Sequence, residues 1–157
     1  MKTQIGIKPE NSVQVADALN KLLADENVLY IKTRNAHWNV EGPDFAAIHK
    51  FFESQYGQLE DIIDQVAERI RSIGHYAVGT MEDYLKLTQL NEKSSEGNVS
   101  LIFIKDLLSD HEAVIVELRE NINRFADDFH DTGSSDFITG LMETHEKMAW
   151  MLRAHLK

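Results

Sequence analysis

Proline is nearly absent from this chain: Pro9 stands near the start, Pro43 follows, and no other occurs before the last residue, Lys157. Because proline removes a backbone donor and collides with the preceding helical turn, its scarcity leaves long stretches free to remain helical. The apolar residues use that freedom. They recur every three or four positions rather than alternating, which builds a stripe along a helix and not the face of a strand. An all-α protein is expected, with its sharpest break at Gly42-Pro43.

Four long helices and a short one can be placed on this pattern. The first is expected from about Ser12, a residue type suited to the N-cap; it carries Val15, Leu19, Leu22, Leu23, Leu29 and Tyr30 and ends before Gly42-Pro43. The second runs from near Asp44 to Gly74, with the cleanest stripe of all in Phe45, Ile48, Phe52, Leu59, Ile62, Val66, Ile70 and Ile73. Thr80-Met-Glu-Asp resembles a capping box and opens a short helix to about Gln89, after which Asn91 to Asn98 reads as loop. The third long helix starts near Val99 and the fourth at Ser134-Ser135, carrying Ile138, Leu141, Met148, Leu152 and Leu156. Four long helices with a short one in the long middle connection describe a four-helix bundle with a crossover between helices two and three, as in ferritin-like folds. Residues 1–157 are expected to form a single domain, with residues 1–11 as a flexible N-terminal segment.

Composition narrows the chemistry. With no cysteine, disulfides, thiolate metal sites and a cysteine nucleophile are excluded, so any metal must be held by His, Asp and Glu. Acidic residues outnumber basic ones 26 to 16, a formal charge of −10 that repels polyanions and draws cations into acidic clefts. No apolar run is long enough for a membrane span, and Met1-Lys-Thr-Gln-Ile-Gly lacks the apolar region of a secretory signal, so a cytoplasmic protein is expected.

Helix two carries a second stripe beside its apolar one: His49, Glu53, Gly57, Glu60, Asp64 and Glu68. By charge alone such a stripe is a solvated face. The histidines change that reading. His37 lies just before the Gly42-Pro43 break and His49 just after it, so a sharp turn would bring them together, while Asp64 and Glu68 at i and i+4 point the same way. Two imidazoles and several carboxylates suit Fe(II). Yet His49 and Asp64 are separated by about 22 Å of helix, too far to hold one metal within one chain. Two copies of helix two crossing antiparallel near Tyr56-Gly57 would instead make two identical sites, each with histidines from one subunit and carboxylates from the other. A self-contained ferritin site needs Glu-x-x-His on two helices, and no such tetrapeptide occurs.

At these residues the sequence resembles the Dps proteins, also called mini-ferritins. The likeness is carried by Asn-Ala-His-Trp-Asn-Val-Glu-Gly-Pro-Asp-Phe (35–45), the step from His37 to His49, Asp64-Gln-Val-Ala-Glu-Arg (64–69) and His145-Glu-Lys-Met-Ala-Trp-Met-Leu-Arg-Ala-His (145–155). It covers nearly the whole chain. The resemblance implies a homo-oligomeric, dodecameric cage with ferroxidase ligands at His37 and His49 of one subunit and Asp64 and Glu68 of the next. Many relatives have Asp at the position of Glu53, so the second iron meets a longer side chain here. The implied activity is oxidation of paired Fe(II), preferentially by hydrogen peroxide, with storage of ferric mineral and protection against oxidative damage; zinc can substitute for iron in purified protein. Trp38, next to a ligand, is a candidate electron donor as well as a packing residue. Acidic three-fold pores of the family's cages correspond to Asp128, Asp131 and above all Asp136, in the cluster that includes Asp127. For Asp136 the alternative is complementarity to a helix N-terminus.

His111 and His145 fall in the apolar stripes of helices three and four, where a hydrogen-bonded core pair is expected over a second metal site. His75, His130 and His155 read as helix-end or surface residues. The competing function is a DNA-binding cage that protects the nucleoid, which the family name evokes. Appreciable DNA binding is not expected here, because the first eleven residues contain only Lys2 and Lys8 as basic side chains and the C-terminus has no basic extension. A structural or signalling bundle would leave the His, His, Asp, Glu set as coincidence.

Overall fold

The computed structural model describes residues 3–157. Five α-helices follow one another: α1 (Pro9–Asn39), α2 (Phe45–Ser72), the short α3 (Met81–Leu87), α4 (Ser100–Asn123) and α5 (Thr132–Ala154), with a π-helical turn, Arg124–Asp128, continuing α4. The long helices pair as two hairpins, α1 against α2 and α4 against α5, and α3 lies against α1 in the crossover. The all-α bundle expected from the sequence is the observed architecture. Among the described residues no helix is long and apolar enough to cross a membrane.

The core gathers most of the expected stripes, although Phe45, expected in the stripe of helix two, is 44% exposed. Leu19, Leu23 and Leu29 from α1, Phe52, Leu59 and Ile70 from α2, Ile104, Leu107 and Leu118 from α4, and Ile138 and Met148 from α5 are all fully buried. Phe52 meets Phe103 edge-on, with ring centroids 6.4 Å apart, and joins the two hairpins. Interdigitation of this kind sets the relative height of the helices, since close-packed interiors do not slide freely.

The helix starts differ from expectation in two places. The first helix begins at Pro9, where a proline costs nothing because the N–H it lacks is unpaired in any first turn. Ser12 is consequently inside the helix and its hydroxyl lies 2.5 Å from Nε2 of His75, tying α1 to the end of α2. Residues 1–11 are thus partly helical; Met1 and Lys2 lie outside the described residues. The last helix is capped by Asp131, whose side chain accepts from the Ser134 amide, and not by the Ser134-Ser135 pair. The short helix is capped as predicted by Thr80, which accepts from the amide of Asp83. Gly74 closes α2 with φ +98°, and a Cβ there would lie 2.1 Å from the Thr3 hydroxyl, so glycine answers both a backbone and a packing demand.

The crossover is pinned by buried charge. Asp25, fully buried on α1, accepts from the Thr88 hydroxyl at 2.6 Å, the Gln89 amide at 2.9 Å and the Gln89 side chain at 3.0 Å. Lys32 donates to the Asn91 carbonyl at 2.9 Å and pairs with Asp110 of α4. These bonds satisfy the loop's backbone where it passes over the bundle.

Candidate metal centre

The turn between α1 and α2 is short and strongly anchored. Gly42 takes a φ of +135°, the Glu41 amide donates to the Asn98 carbonyl at 2.8 Å, and the Ser100 hydroxyl donates to Asp44 at 2.6 Å. This folds the end of α1 onto the start of α2 and brings His37 and His49 together, with rings stacked 3.7 Å apart.

Each histidine uses Nδ1 on the other's backbone: His37 Nδ1 lies 2.8 Å from the His49 carbonyl, and His49 Nδ1 lies 2.8 Å from the His37 carbonyl. A carbonyl only accepts, so both Nδ1 atoms carry hydrogen, and in the neutral form of each ring the lone pair is on Nε2. This is the tautomer a metal-ligating imidazole needs, with ring orientation fixed by the bond to the second nitrogen. Two stacked rings locked in this form offer their Nε2 atoms side by side.

An aromatic and cationic wall flanks the pair. Tyr56 meets His37 edge-on at 5.2 Å, and Phe45 packs against His49 at 5.1 Å. Arg34, one turn before His37, donates to the Tyr30 hydroxyl at 3.0 Å and lies over the rings of Trp38, Tyr56 and Tyr30 at 4.8, 5.4 and 5.5 Å. Trp38 is 60% exposed, so in the single chain it is not the buried packing residue considered as one alternative.

Of the carboxylates, Glu53 follows His49 by one helical turn, whereas Asp64 and Glu68 lie farther along the helix. Glu53, Asp64 and Glu68 are exposed on α2, an unbroken helix from Phe45 to Ser72. Among the described residues of one chain, no three His, Cys, Asp or Glu side chains are grouped to hold a metal ion. The structure therefore brings His37 to His49 and leaves Asp64 and Glu68 far along the same helix, as the helical rise requires. Gly57, midway between, has an open surround: a Cβ there would meet nothing within 4 Å of its own chain.

The acidic residues at the start of α5 separate into two kinds. Asp128 and Asp136 are exposed, whereas Asp131 is only 3% exposed and is fully engaged. It accepts from the Ser134 amide at 2.9 Å and the Ser134 hydroxyl at 2.5 Å, and it pairs with Arg69 of α2 at 3.3 Å. Asp131 thus acts as a cap and a brace in the single chain.

Sequence reasoning missed two participants. Tyr56 is in contact with a candidate ligand, and Arg34 organises the surrounding rings. The available signal was position: Arg34 precedes His37 by three residues and Trp38 by four on α1, and His49, Glu53 and Tyr56 step by four and three along α2.

Comparison with known proteins agrees with this architecture. The model of the ferritin-like domain family matches residues 16–157. A low temperature-induced protein of Nostoc sp. is 40% identical over 156 residues, covering 99% of this chain and 87% of that one. DNA protection during starvation protein 2 of Bacillus anthracis is 38% identical over 143 residues, covering 91% of this chain and 97% of that one. The crystal structure of a Dps protein from Vibrio cholerae O1, described as a member of a broad superfamily of ferritin-like diiron-carboxylate proteins, matches with a TM-score of 0.92 at 32% identity, covering 100% of this chain and 98% of that one. With a fold, a motif set and full-length relatives in agreement, this chain belongs to the ferritin-like family and, within it, to the Dps proteins.

Proposed function

We propose that this protein is an iron-oxidising and iron-storing mini-ferritin whose ferroxidase sites lie between subunits. The observation that carries this reading is the reciprocal Nδ1–carbonyl locking of His37 and His49, which leaves two adjacent Nε2 lone pairs, while among the described residues of one chain no third ligand side chain joins them to complete a metal site. A second copy of α2, crossing antiparallel near the unobstructed Gly57, would supply Asp64 and Glu68 to the first copy's histidines, and the two-fold symmetry would generate the site twice. Glu53, one turn beyond His49, would reach a second iron. Repetition of such dimers into a dodecameric cage would enclose the mineral, and the exposed Asp128 and Asp136 would line the entry route for Fe(II).

Fe(II) and hydrogen peroxide are the substrates. Two ferrous ions give up the two electrons that one peroxide needs, with two protons, to become two waters, so no hydroxyl radical is released. The chain's own groups hold the irons close and in order: the neutral imidazoles as nitrogen ligands, the carboxylates as charge-balancing ones. Trp38, exposed and beside His37, would supply an electron when only one iron is present. Zinc would occupy the same donor set without turning over, being redox-inert.

Mixed subunits test the shared site. His37→Ala/His49→Ala protein and Asp64→Ala/Glu68→Ala protein are each expected to be inactive in peroxide-driven ferric absorbance, and exchanged mixtures are expected to regain part of the activity, because one of the two sites in a mixed dimer is intact. No recovery after subunit exchange has been demonstrated by mass spectrometry would defeat the proposal.

A further inference from the structure

The core holds a second pair of histidines that the ferroxidase reading does not use. His111 on α4 and His145 on α5 are fully buried, with their Nδ1 atoms 2.9 Å apart. The other nitrogen of His145, Nε2, lies 2.8 Å from Glu26 Oε1 on α1, and Glu26 is also fully buried. Three helices are therefore tied by a chain of two hydrogen bonds. Its outer ends are open: Glu26 Oε2 and His111 Nε2 have no partner among the described residues.

Proton counting defines what this chain can tolerate. The contact between two Nδ1 atoms contains one proton, donated by one ring and accepted by the other. If both imidazoles were doubly protonated, both Nδ1 atoms would carry hydrogen and the bond could not exist. Glu26 can balance one imidazolium but not two. We infer that Glu26, His145 and His111 form an acid-sensitive latch across α1, α5 and α4, which holds one proton between its imidazoles and loosens the subunit core when both are fully protonated.

The surroundings give little relief to a second charge. On α1, Asp25 is committed to Thr88 and Gln89, and Lys32 pairs with Asp110. On α4, Asp110 is next to His111 in sequence, but its nearest counter-charge is Lys32, and burial raises its own pKa. On α2 the buried residues are apolar except Gln55, which is uncharged. On α5 the facing titratable group is His145 itself. Burial, reinforced by the nearby His145, holds His111 well below the ordinary histidine value of 6.5.

The sign follows directly. Below about pH 6.5 the unfolded chain protonates His111 while the folded chain does not, so the unfolded state binds one more proton and stability falls as pH falls. Each such site changes the unfolding equilibrium by up to about tenfold per pH unit until the folded group itself titrates.

The test is unfolding of assembled protein in urea across about pH 7 to pH 5, comparing the natural chain with His111→Asn. Asparagine can accept from His145 Nδ1–H through its carbonyl and does not titrate. Ionisations away from this chain of bonds act on both proteins alike, so the wild-type unfolding equilibrium is expected to shift by up to about tenfold per pH unit more than that of the variant. Parallel curves would overturn the latch. Should His111→Asn fail to assemble, the all-apolar swap Glu26→Leu/His111→Leu/His145→Met carries the same expectation, since such triads can be replaced by packed hydrophobes. A further readout is stoichiometric zinc binding at neutral pH to protein carrying His37→Ala/His49→Ala. Zinc retained there and lost on adding His111→Asn would also overturn the inference, showing a metal and not a proton between the rings.

Discussion

The molecule contains two histidine pairs, and they are built on opposite principles. His37 and His49 spend their Nδ1 hydrogens on backbone carbonyls and leave both Nε2 atoms free at the edge of the bundle. His111 and His145 spend their Nδ1 atoms on each other, with Glu26 behind, at complete burial. The first arrangement keeps lone pairs available for a cation; the second uses one of them to weld helices together. Whether a histidine pair is a ligand set is decided by what holds the second ring nitrogen, more than by how close the rings are.

The largest expected effect separates the two pairs by activity. His37→Ala/His49→Ala should reduce peroxide-driven Fe(II) oxidation by more than roughly 100-fold, because loss of mere outer-shell partners already costs about 10- to 100-fold at metal sites. His111→Asn should leave the initial rate of assembled protein nearly unchanged. Stopped-flow ferric absorbance on size-selected cages measures both, and equal losses would erase the distinction.

The converse contrast is in stability. Glu26→Ala leaves the buried His145 without its carboxylate and is expected to cost about 3 kcal/mol, as for other buried pairs stripped of one partner. Asp64→Ala, on the exposed face of α2, should move the midpoint of thermal unfolding very little in the absence of metal. A small effect of Glu26→Ala would mean that the core pair is relaxed by water or by rearrangement.

The same contrast explains what the sequence disclosed. The two ends of the shared-site argument, His37 with His49 and Asp64 with Glu68, were legible because helical rise and a Gly-Pro break convert spacing directly into position. The core histidines were legible as buried because they interrupt apolar stripes, but Glu26 was not recognised as their partner. It too interrupts a stripe, lying between Leu22, Leu23 and Leu29, and a lone carboxylate on such a face signals a buried partner from another helix. Which helix supplies it depends on tertiary height and cannot be read along one chain. The capping role of Asp131 was not legible for a related reason: an acidic cluster next to a helix start contains both caps and surface charges, and only the bonds to Ser134 and Arg69 tell them apart.

A smaller effect sharpens that last division. Asp136 is exposed whereas Asp131 is buried and braced. Asp136→Asn should slow iron uptake by about threefold at low ionic strength and by less at about 0.15 M salt, where the Debye length shrinks to about 8 Å. Asp131→Asn should instead lower stability, by weakening the cap and the Arg69 contact. Uptake that is unchanged by Asp136→Asn at low salt would remove this residue from the entry route.

The smallest effect concerns DNA. The relatives from Bacillus anthracis and Helicobacter pylori carry names that refer to DNA protection, but protection need not require contact if iron and peroxide are consumed. Affinity for a duplex is driven by cations that displace counterions from phosphates. This chain has a net charge of −10, and assembly multiplies that charge together with the few basic side chains near its start, Lys2 and Lys8. Lys2 lies outside the described residues, and Lys8 immediately precedes the first turn of α1, where Glu10 partly offsets it. Repetition of such a segment around a cage would add avidity only if each copy had a measurable affinity to multiply. No retardation of plasmid DNA is therefore expected in a gel-shift titration of iron-free assembled protein at about 0.15 M salt, and Lys8→Ala should change nothing. Saturable retardation that weakens steeply with added salt and is lost in Lys8→Ala would show that the N-terminal segment acts as a polyvalent cation, and would place direct nucleoid binding beside iron oxidation.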